Sequence, residues 1–322
     1  MGRSGLVLGA LLAALTGALL LAVSVGSVEL SVTEVLGALR GGGEPTHRLL
    51  IFELRLPRAL VAVAVGGLLA LAGTLLQVLL RNPLADPYVL GVSGGAAVAA
   101  LAALLAGLAA ALVPLVAFAG ALVSTVLVFG LARGHGAWGT SRLLLTGVVL
   151  ATGWSAVVTL LLASAPPGEL PGMLYWLMGD LAAARRPLLP LLVLAGCLLL
   201  SLPLAAQLNI LGRGEQVAAG VGIRVGRLQA GVYLLSSLAT GVAVAAGGSI
   251  GFVGLVVPHM LRLIVGNDQR VLLPAAALGG ALLVLVADLA ARTVVAPQQL
   301  PVGALTALLG VPVFFVLLRR RG

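Results

Sequence analysis

Apolar stretches, most of them close to the roughly 20 residues that cross a bilayer and the eighth of them short, follow one another along the chain with only short polar breaks between them. They fall at Gly5–Gly26, Pro57–Leu80, Val89–Ala110, Leu112–Ala132, Arg142–Ala163, Leu188–Gln207, Leu228–Ala246, Gly251–Val265, Val271–Ala291 and Val302–Leu318. This pattern predicts an all-α, polytopic membrane protein of about ten transmembrane helices, built as a single transmembrane domain over residues 1–322. An even number of spans puts both termini on one side. Gly5–Gly26 follows Arg3 as a signal peptide would. Its apolar run exceeds the roughly 7–15 residues of a signal-peptide core, so it reads as a retained span. Residues 28–53 are more polar and predict an outer loop in which SVTEVLGALR forms a short surface helix. Small-residue runs such as GLVLG (5–9) and GGLLALAG (66–73) allow close helix approach in lipid, where packing drives association.

Composition sharpens this picture. Of 322 residues, 61% are hydrophobic and 9% charged, with a mean hydropathy of +1.19. Soluble domains carry roughly a quarter charged residues. The net charge of +9 does not point to nucleic acid, because the basic residues sit in short breaks with no basic face or stacking aromatics. A positive-inside bias explains them. With the N-terminus inside, Arg3, Arg81, Arg133, Arg142, Arg213, Arg224, Arg227, Arg262, Arg270 and Arg319–Arg321 are cytoplasmic. Arg40, Arg48, Arg55, Arg58, Arg185, Arg186 and Arg292 are then outside. Twelve against seven predicts cytoplasmic N- and C-termini.

All 19 basic residues are Arg. Without Lys there is no Walker A loop and no Schiff-base chemistry, so any ATP use must come from another subunit. Cys197 is the only cysteine, which excludes an internal disulfide and a thiolate metal cluster. His47, His135 and His259 lack metal-ligand spacing. Titratable groups are nearly absent from span interiors, which disfavours an ion-coupled secondary transporter.

Against this apolar background one polar island stands out, Gln207–Arg227, containing Arg213, Arg224, Arg227, Glu215 and four glycines. Glu215 suits the start of a short helix, where a carboxylate meets the positive dipole end. Gly220 and Gly222 offer its stop. A rigid, charged short helix between two spans is suited to receiving force from a soluble partner; a solvated loop is the plainer alternative. At the other side, Arg55 and Arg58 share a helix face at the start of the second span, and Arg292 closes the ninth beside Asp288. These arginines read either as interface snorkels or as a cluster gripping carboxylates of an extracytoplasmic partner. Arg81-Asn-Pro-Leu-Ala-Asp-Pro87 and Gly139-Thr-Ser-Arg142 form polar turns that together could narrow an exit. Pro258 interrupts the eighth span, and His259 beside it suits a structural hydrogen bond better than a ligand or proton carrier.

The segments RLPRALVAVAVGG (55–67), LLQVLLRNPLADPYVLGVSGGA (75–96), GTSRLLLTGVVL (139–150) and LYWLMGDL (174–181) resemble the FecCD/BtuC permease family in order. LGRGEQVAAGVGI (211–223), residues 248–292 and LPVGALTALLGVPVFFVLL (300–318) continue the resemblance over nearly the whole chain. These are membrane subunits of type II ABC importers for iron–siderophore complexes, haem and vitamin B12. The resemblance implies a ten-helix homodimer with the pathway on its two-fold axis. It also implies two copies of a cytoplasmic ABC ATPase below and a periplasmic substrate-binding protein above, in a bacterial inner membrane and its lipid. No cofactor is implied for this chain; ATP is used by the partner.

By that resemblance the loop at about 208–227 carries the coupling helices, and Gly214, Glu215, Ala218 and Gly222 match the family's ATPase-coupling pattern. Val221 stands where the family often has Leu. Arg55, Arg58 and Arg292 match arginines that pair with the binding protein. Asn82 and Leu84 match one cytoplasmic gate, and Thr140 and Ser141 the other, with Gly139 in place of a serine. An iron chelate, siderophore or haem, is the expected cargo, with cobalamin as the alternative.

Overall fold

The computed structural model describes residues 2–26, 30–42, 44–132 and 140–319. Gly139, Arg133, His135, Arg320 and Arg321, named above, lie outside the described residues, as do the side chains of Arg3, Thr140 and Arg319. Among the described residues every regular element is a helix.

Among the described residues, seven helices are long and apolar enough to cross a membrane: Ser4–Ser24, Pro45–Leu79, Val113–Ala132, Ser141–Ala163, Leu188–Leu211, Val225–Gly247 and Gln269–Thr293. Three shorter apolar helices, Val92–Leu105, Val253–Val265 and Val302–Pro312, fall where the remaining three stretches lie. In chain order the helices are α1 (Gly2–Ser24), α2 (Val32–Leu39), α3 (Pro45–Leu49), α4 (Leu56–Leu79), α5 (Val92–Leu105), α6 (Val113–Ala132), α7 (Thr140–Ala163) and α8 (Leu170–Met178). There follow α9 (Leu188–Ser201), α10 (Ala205–Leu211), α11 (Glu215–Gly220), α12 (Val225–Gly247), α13 (Val253–Val265), α14 (Gln269–Thr293) and α15 (Val302–Arg319).

Helix α4 is the axis of the body. It is apolar on every side, as a helix buried all round must be, and α14, α12, α13 and α9 pack around it. Glycine sets two of these crossings. A methyl on Gly66 would collide with the Gly280 carbonyl of α14, and one on Gly73 with the Gly254 carbonyl of α13. At both crossings the backbones themselves are in contact, the geometry by which small residues hold helices together in lipid.

Residues 28–53 are less loop-like than their composition suggests. α2 does form, held by a capping box: Ser31 N–H and Oγ–H donate to Glu34 Oε2 at 2.8 and 2.6 Å, and Glu34 N–H donates to Ser31 Oγ at 3.2 Å. These bonds hold the Glu34 carboxyl below its usual range. Val35 and Ala38 close a small satellite core with Val23, Leu30 and Ile51. From Pro45, however, the chain is already helical and runs through a π-helical turn, Leu50–Arg55, into α4. The helix Pro45–Leu79 is 35 residues long. At 1.5 Å per residue this is about 52 Å, so its first turns project beyond a hydrocarbon layer of roughly 30 Å.

Two predicted spans are shorter than their apolar runs. α5 and α13 have 14 and 13 residues, roughly 20 Å each. Both begin after irregular backbone. Before α5 lie the 3-10 turn Pro87–Leu90 and Gly91 at φ 73°; before α13 lie Gly248 at φ 69° and Phe252 at φ 67°. The two breaks meet within the body. Tyr88 O–H donates to the Ile250 carbonyl at 2.9 Å and its oxygen accepts from Ile250 N–H at 3.0 Å. Irregular backbone at membrane depth requires such internal partners.

Candidate functional site

Polar side chains gather at the two ends of α4, about 34 Å apart. At the N-terminal end, Arg58 Nε donates to Asp288 Oδ1 at 2.8 Å and Nη1 to Gln299 Oε1 at 2.8 Å. Arg292 Nε lies 3.3 Å from Asp288 Oδ2, the i,i+4 pairing expected on α14. Arg55 Nη1 donates to the Val23 and Ser24 carbonyls at 2.8 and 2.7 Å, and Arg292 Nη2 to the Ala22 carbonyl at 3.0 Å. Those carbonyls are in the last turn of α1, where a helix leaves acceptors without internal donors and where cations are favoured.

The spacing therefore anticipated that Arg55, Arg58 and Arg292 come together. The direction of their side chains was not anticipated. Arg55 and Arg58 are 5% and 7% exposed and Asp288 is fully buried, so the cluster clasps α1, α4 and α14 instead of projecting into solvent. The arginines exposed elsewhere among residues read as the outer side are Arg40, Arg48, Arg185 and Arg186.

At the C-terminal end of α4 lies the island. α11 starts at Glu215 after Gly214 at φ 129°. It ends in a Schellman motif: Gly222, at φ 83°, donates N–H to the Ala219 carbonyl, and Ile223 N–H reaches the Ala218 carbonyl at 3.0 Å. Ala218 is fully buried and seats the helix; Gln216, Val217, Ala219 and Val221 face outward. Arg213, Arg224 and Arg227 are exposed beside them, and Gln207, Val221, Arg224 and Arg227 line a shallow groove. An apolar ridge edged with guanidiniums has the chemistry of a protein-binding surface. Of its members, Val221 was marked in the sequence only as standing where the family often has Leu, and Val217 not at all.

Glu215 itself turns inward. Gln229 Nε2 of α12 donates to Glu215 Oε1 at 3.1 Å, and Arg81 Nη2 lies 3.5 Å from the same oxygen. Nearby, Arg262 Nη2 donates to Gln77 Oε1 at 2.9 Å, and Gln77 Nε2 to the Leu255 carbonyl at 3.2 Å. Asn209 Nδ2 donates to Asp268 Oδ1 at 2.7 Å and Asn209 Oδ1 accepts from Gln269 N–H at 2.8 Å, which ties α10 to α14. The Asn209 bond, with Arg270 N–H as a second donor, holds the Asp268 carboxyl below its usual range.

Of the residues read as gates, Asn82 Oδ1 accepts from Leu84 N–H at 2.9 Å across Pro83, and the Leu84 side chain is 43% exposed. Ser141 is also exposed, on the first turn of α7, which begins at Thr140. The two elements meet further along: a methyl on Gly147 would touch Val89 and Leu90. His259 is buried, and no group of three or more His, Cys, Asp or Glu side chains among the described residues could hold a metal ion.

Comparison with known proteins gives a consistent result. The profile of the FecCD transport family matches residues 11–320. The chain is 44% identical to the hemin transport system permease protein HmuU of Yersinia pestis, over 84% of this chain and 83% of that one. It is 41% identical to the cobalamin import system permease protein BtuC of Halobacterium salinarum, over 88% and 77%. It is also 41% identical to the Fe(3+) dicitrate transport system permease protein FecD of Escherichia coli, over 95% and 96%. Among solved structures, an inward-facing ABC transporter of metal-chelate type superposes with a TM-score of 0.88 at 32% identity, covering 97% of this chain and 98% of that one.

Proposed function

This chain belongs to the FecCD transport family, and from that premise we propose that it forms the moving wall of an importer whose motor is a separate ATPase. It is a multi-span permease subunit of an ABC importer for metal chelates, haem or vitamin B12. Beyond that, our reading is a homodimer with two copies of the ATPase on the island face. That face is cytoplasmic, with both termini, and a periplasmic binding protein docks on the opposite face. The chain binds no cofactor of its own. Uptake proceeds by alternating access, with α11 receiving the ATPase stroke and the Asn82–Leu84 and Thr140–Ser141 turns opening below the pathway.

The observation that carries the reading is the island helix. It is seated by buried Ala218, stopped by Gly222 and presents Val217 and Val221 outward between exposed arginines. The substrate follows less directly, because relatives named for haem, cobalamin and ferric dicitrate are about equally similar. We favour an iron chelate, siderophore or haem, with cobalamin as the second reading.

The docking reading also shifts. Arg55, Arg58 and Arg292 shape the docking end by clasping three helices, and exposed Arg185 and Arg186 offer charge to the partner. Co-purification tests the island. Val217→Asp with Val221→Asp, which places carboxylates on the exposed ridge, should abolish ATPase association while leaving the permease inserted and folded. Undiminished association would remove α11 from the coupling role.

A further inference from the structure

The residue after α4, Arg81, adopts a left-handed conformation at φ 48°, one of two non-glycine residues with positive φ among those described. It occupies the C′ position of a Schellman motif: Arg81 N–H donates to the Val78 carbonyl and Asn82 N–H to the Gln77 carbonyl, at 3.2 and 3.1 Å. Glycine is the usual residue there, since a Cβ is disfavoured in this conformation. The same Gln77 is anchored to α13 through Arg262 and the Leu255 carbonyl, so the stem of the turn is fixed. What Arg supplies in place of Gly is a side chain, and that side chain reaches Glu215, the first residue of α11. The next three residues are Asn82, Pro83 and Leu84, the turn read as a gate, braced by the Asn82–Leu84 hydrogen bond.

Stability does not explain the pair. Its side chains are 45% and 34% exposed, and ion pairs of that exposure contribute little. A left-handed arginine is a net cost to the fold unless the side chain has a task. Geometry offers one. Glu215 is held by α12 through Gln229 and by the gate turn through Arg81, so any displacement of α11 pulls on both.

We propose that Arg81 is a positioning residue that ties α11 to the Asn82–Leu84 turn, so that movement of α11 by the ATPase is delivered to the gate. The proposal rests on the coupling reading given above and adds the linkage through which it acts.

The test uses the permease reconstituted in nanodiscs with its cognate ATPase, with a spin label at Leu84→Cys in a Cys197→Ser background. The label-to-label distance between the two copies is measured without nucleotide and with ATP plus vanadate. Glycine fits the left-handed position better than arginine, so Arg81→Gly should fold and bind the ATPase as well as the parent while losing the nucleotide-dependent change in distance. Arg81→Asn, also tolerant of that conformation, should behave alike. The exchange Arg81→Glu with Glu215→Arg should recover the change, which a purely structural role would not do. A distance change in Arg81→Gly and Arg81→Asn equal to the parent's overturns the proposal, as does an exchange that fails to recover it although the ATPase remains bound. If the parent binds the ATPase but shows no change, or does not bind it, the coupling reading falls and the linkage with it.

Discussion

Asp288 is the point at which the clasp can be broken most cleanly. Its carboxylate is fully buried and serves two guanidiniums, Arg58 at 2.8 Å and Arg292 at 3.3 Å. Asp288→Ala leaves buried Arg58 and partly buried Arg292 facing a void. Removing one member of a buried pair costs about 3–5 kcal/mol, chiefly through the charge left uncompensated. Here each arginine keeps one other acceptor, the Gln299 amide oxygen for Arg58 and the Ala22 carbonyl for Arg292. The loss should therefore sit near the low end, about 3 kcal/mol. Asp288→Asn retains an oxygen for Arg58 but no charge, and a loss of about 2 kcal/mol is expected.

Denaturant unfolding of the purified permease in one fixed detergent, followed by tryptophan fluorescence, measures both. Adding Arg58→Met to Asp288→Ala should recover part of the loss, because it removes one of the stranded cations. Asp288→Ala within about 0.5 kcal/mol of the parent, the range of an ordinary surface substitution, would refute the clasp and return these arginines to the solvent.

Other expectations follow from packing and charge. Gly66→Ala pushes a methyl into the Gly280 carbonyl and should lower thermal stability well beyond Gly37→Ala, where the added methyl meets nothing, as melting curves of the two variants would show. Glu34 and Asp268 are carboxylates whose folded pKa values are depressed, so their contributions are present above the unfolded values of about 4 and are lost as pH falls through the lower folded ones. Melting temperature should thus decline between pH 5 and 3, and Asp268→Ala should shrink that decline. Arg185→Glu with Arg186→Glu should weaken binding-protein docking more at low salt than at high, since exposed charges are screened. Equal docking at both salt concentrations would dismiss these two residues.

Local chemistry made some elements readable from sequence and tertiary contact hid others. The short helix in SVTEVLGALR and the one that starts at Glu215 are local features, and both form, as α2 and as α11 with its stop at Gly222. The apolar stretches each yielded a helix because in lipid the backbone has no other way to satisfy itself. The shortness of α13 was legible in the 15-residue run Gly251–Val265, but that of α5 was hidden, because the 22-residue run Val89–Ala110 carries no charge to mark a break. The irregular backbone before α5 finds its partner in Ile250, 162 residues from Tyr88. The inward turn of Arg55, Arg58 and Arg292 was hidden for the same reason: the α1 carbonyls and Gln299 that receive them are remote in sequence. Residues 45–53 read as part of the outer loop because Arg48 and Glu53 raise their polarity, although one helix runs through them from Pro45.

The separation of wall from motor is open to one direct measurement. Purified permease is reconstituted in liposomes with its cognate binding protein. Uptake of ferric dicitrate, haem and cobalamin is followed in turn, with and without the cognate ATPase and ATP, in the presence of an ion gradient throughout. Accumulation of one of these chelates against its own gradient only when ATPase and ATP are both present is the predicted result. Uphill accumulation by the permease with no ATPase in the vesicle would contradict it.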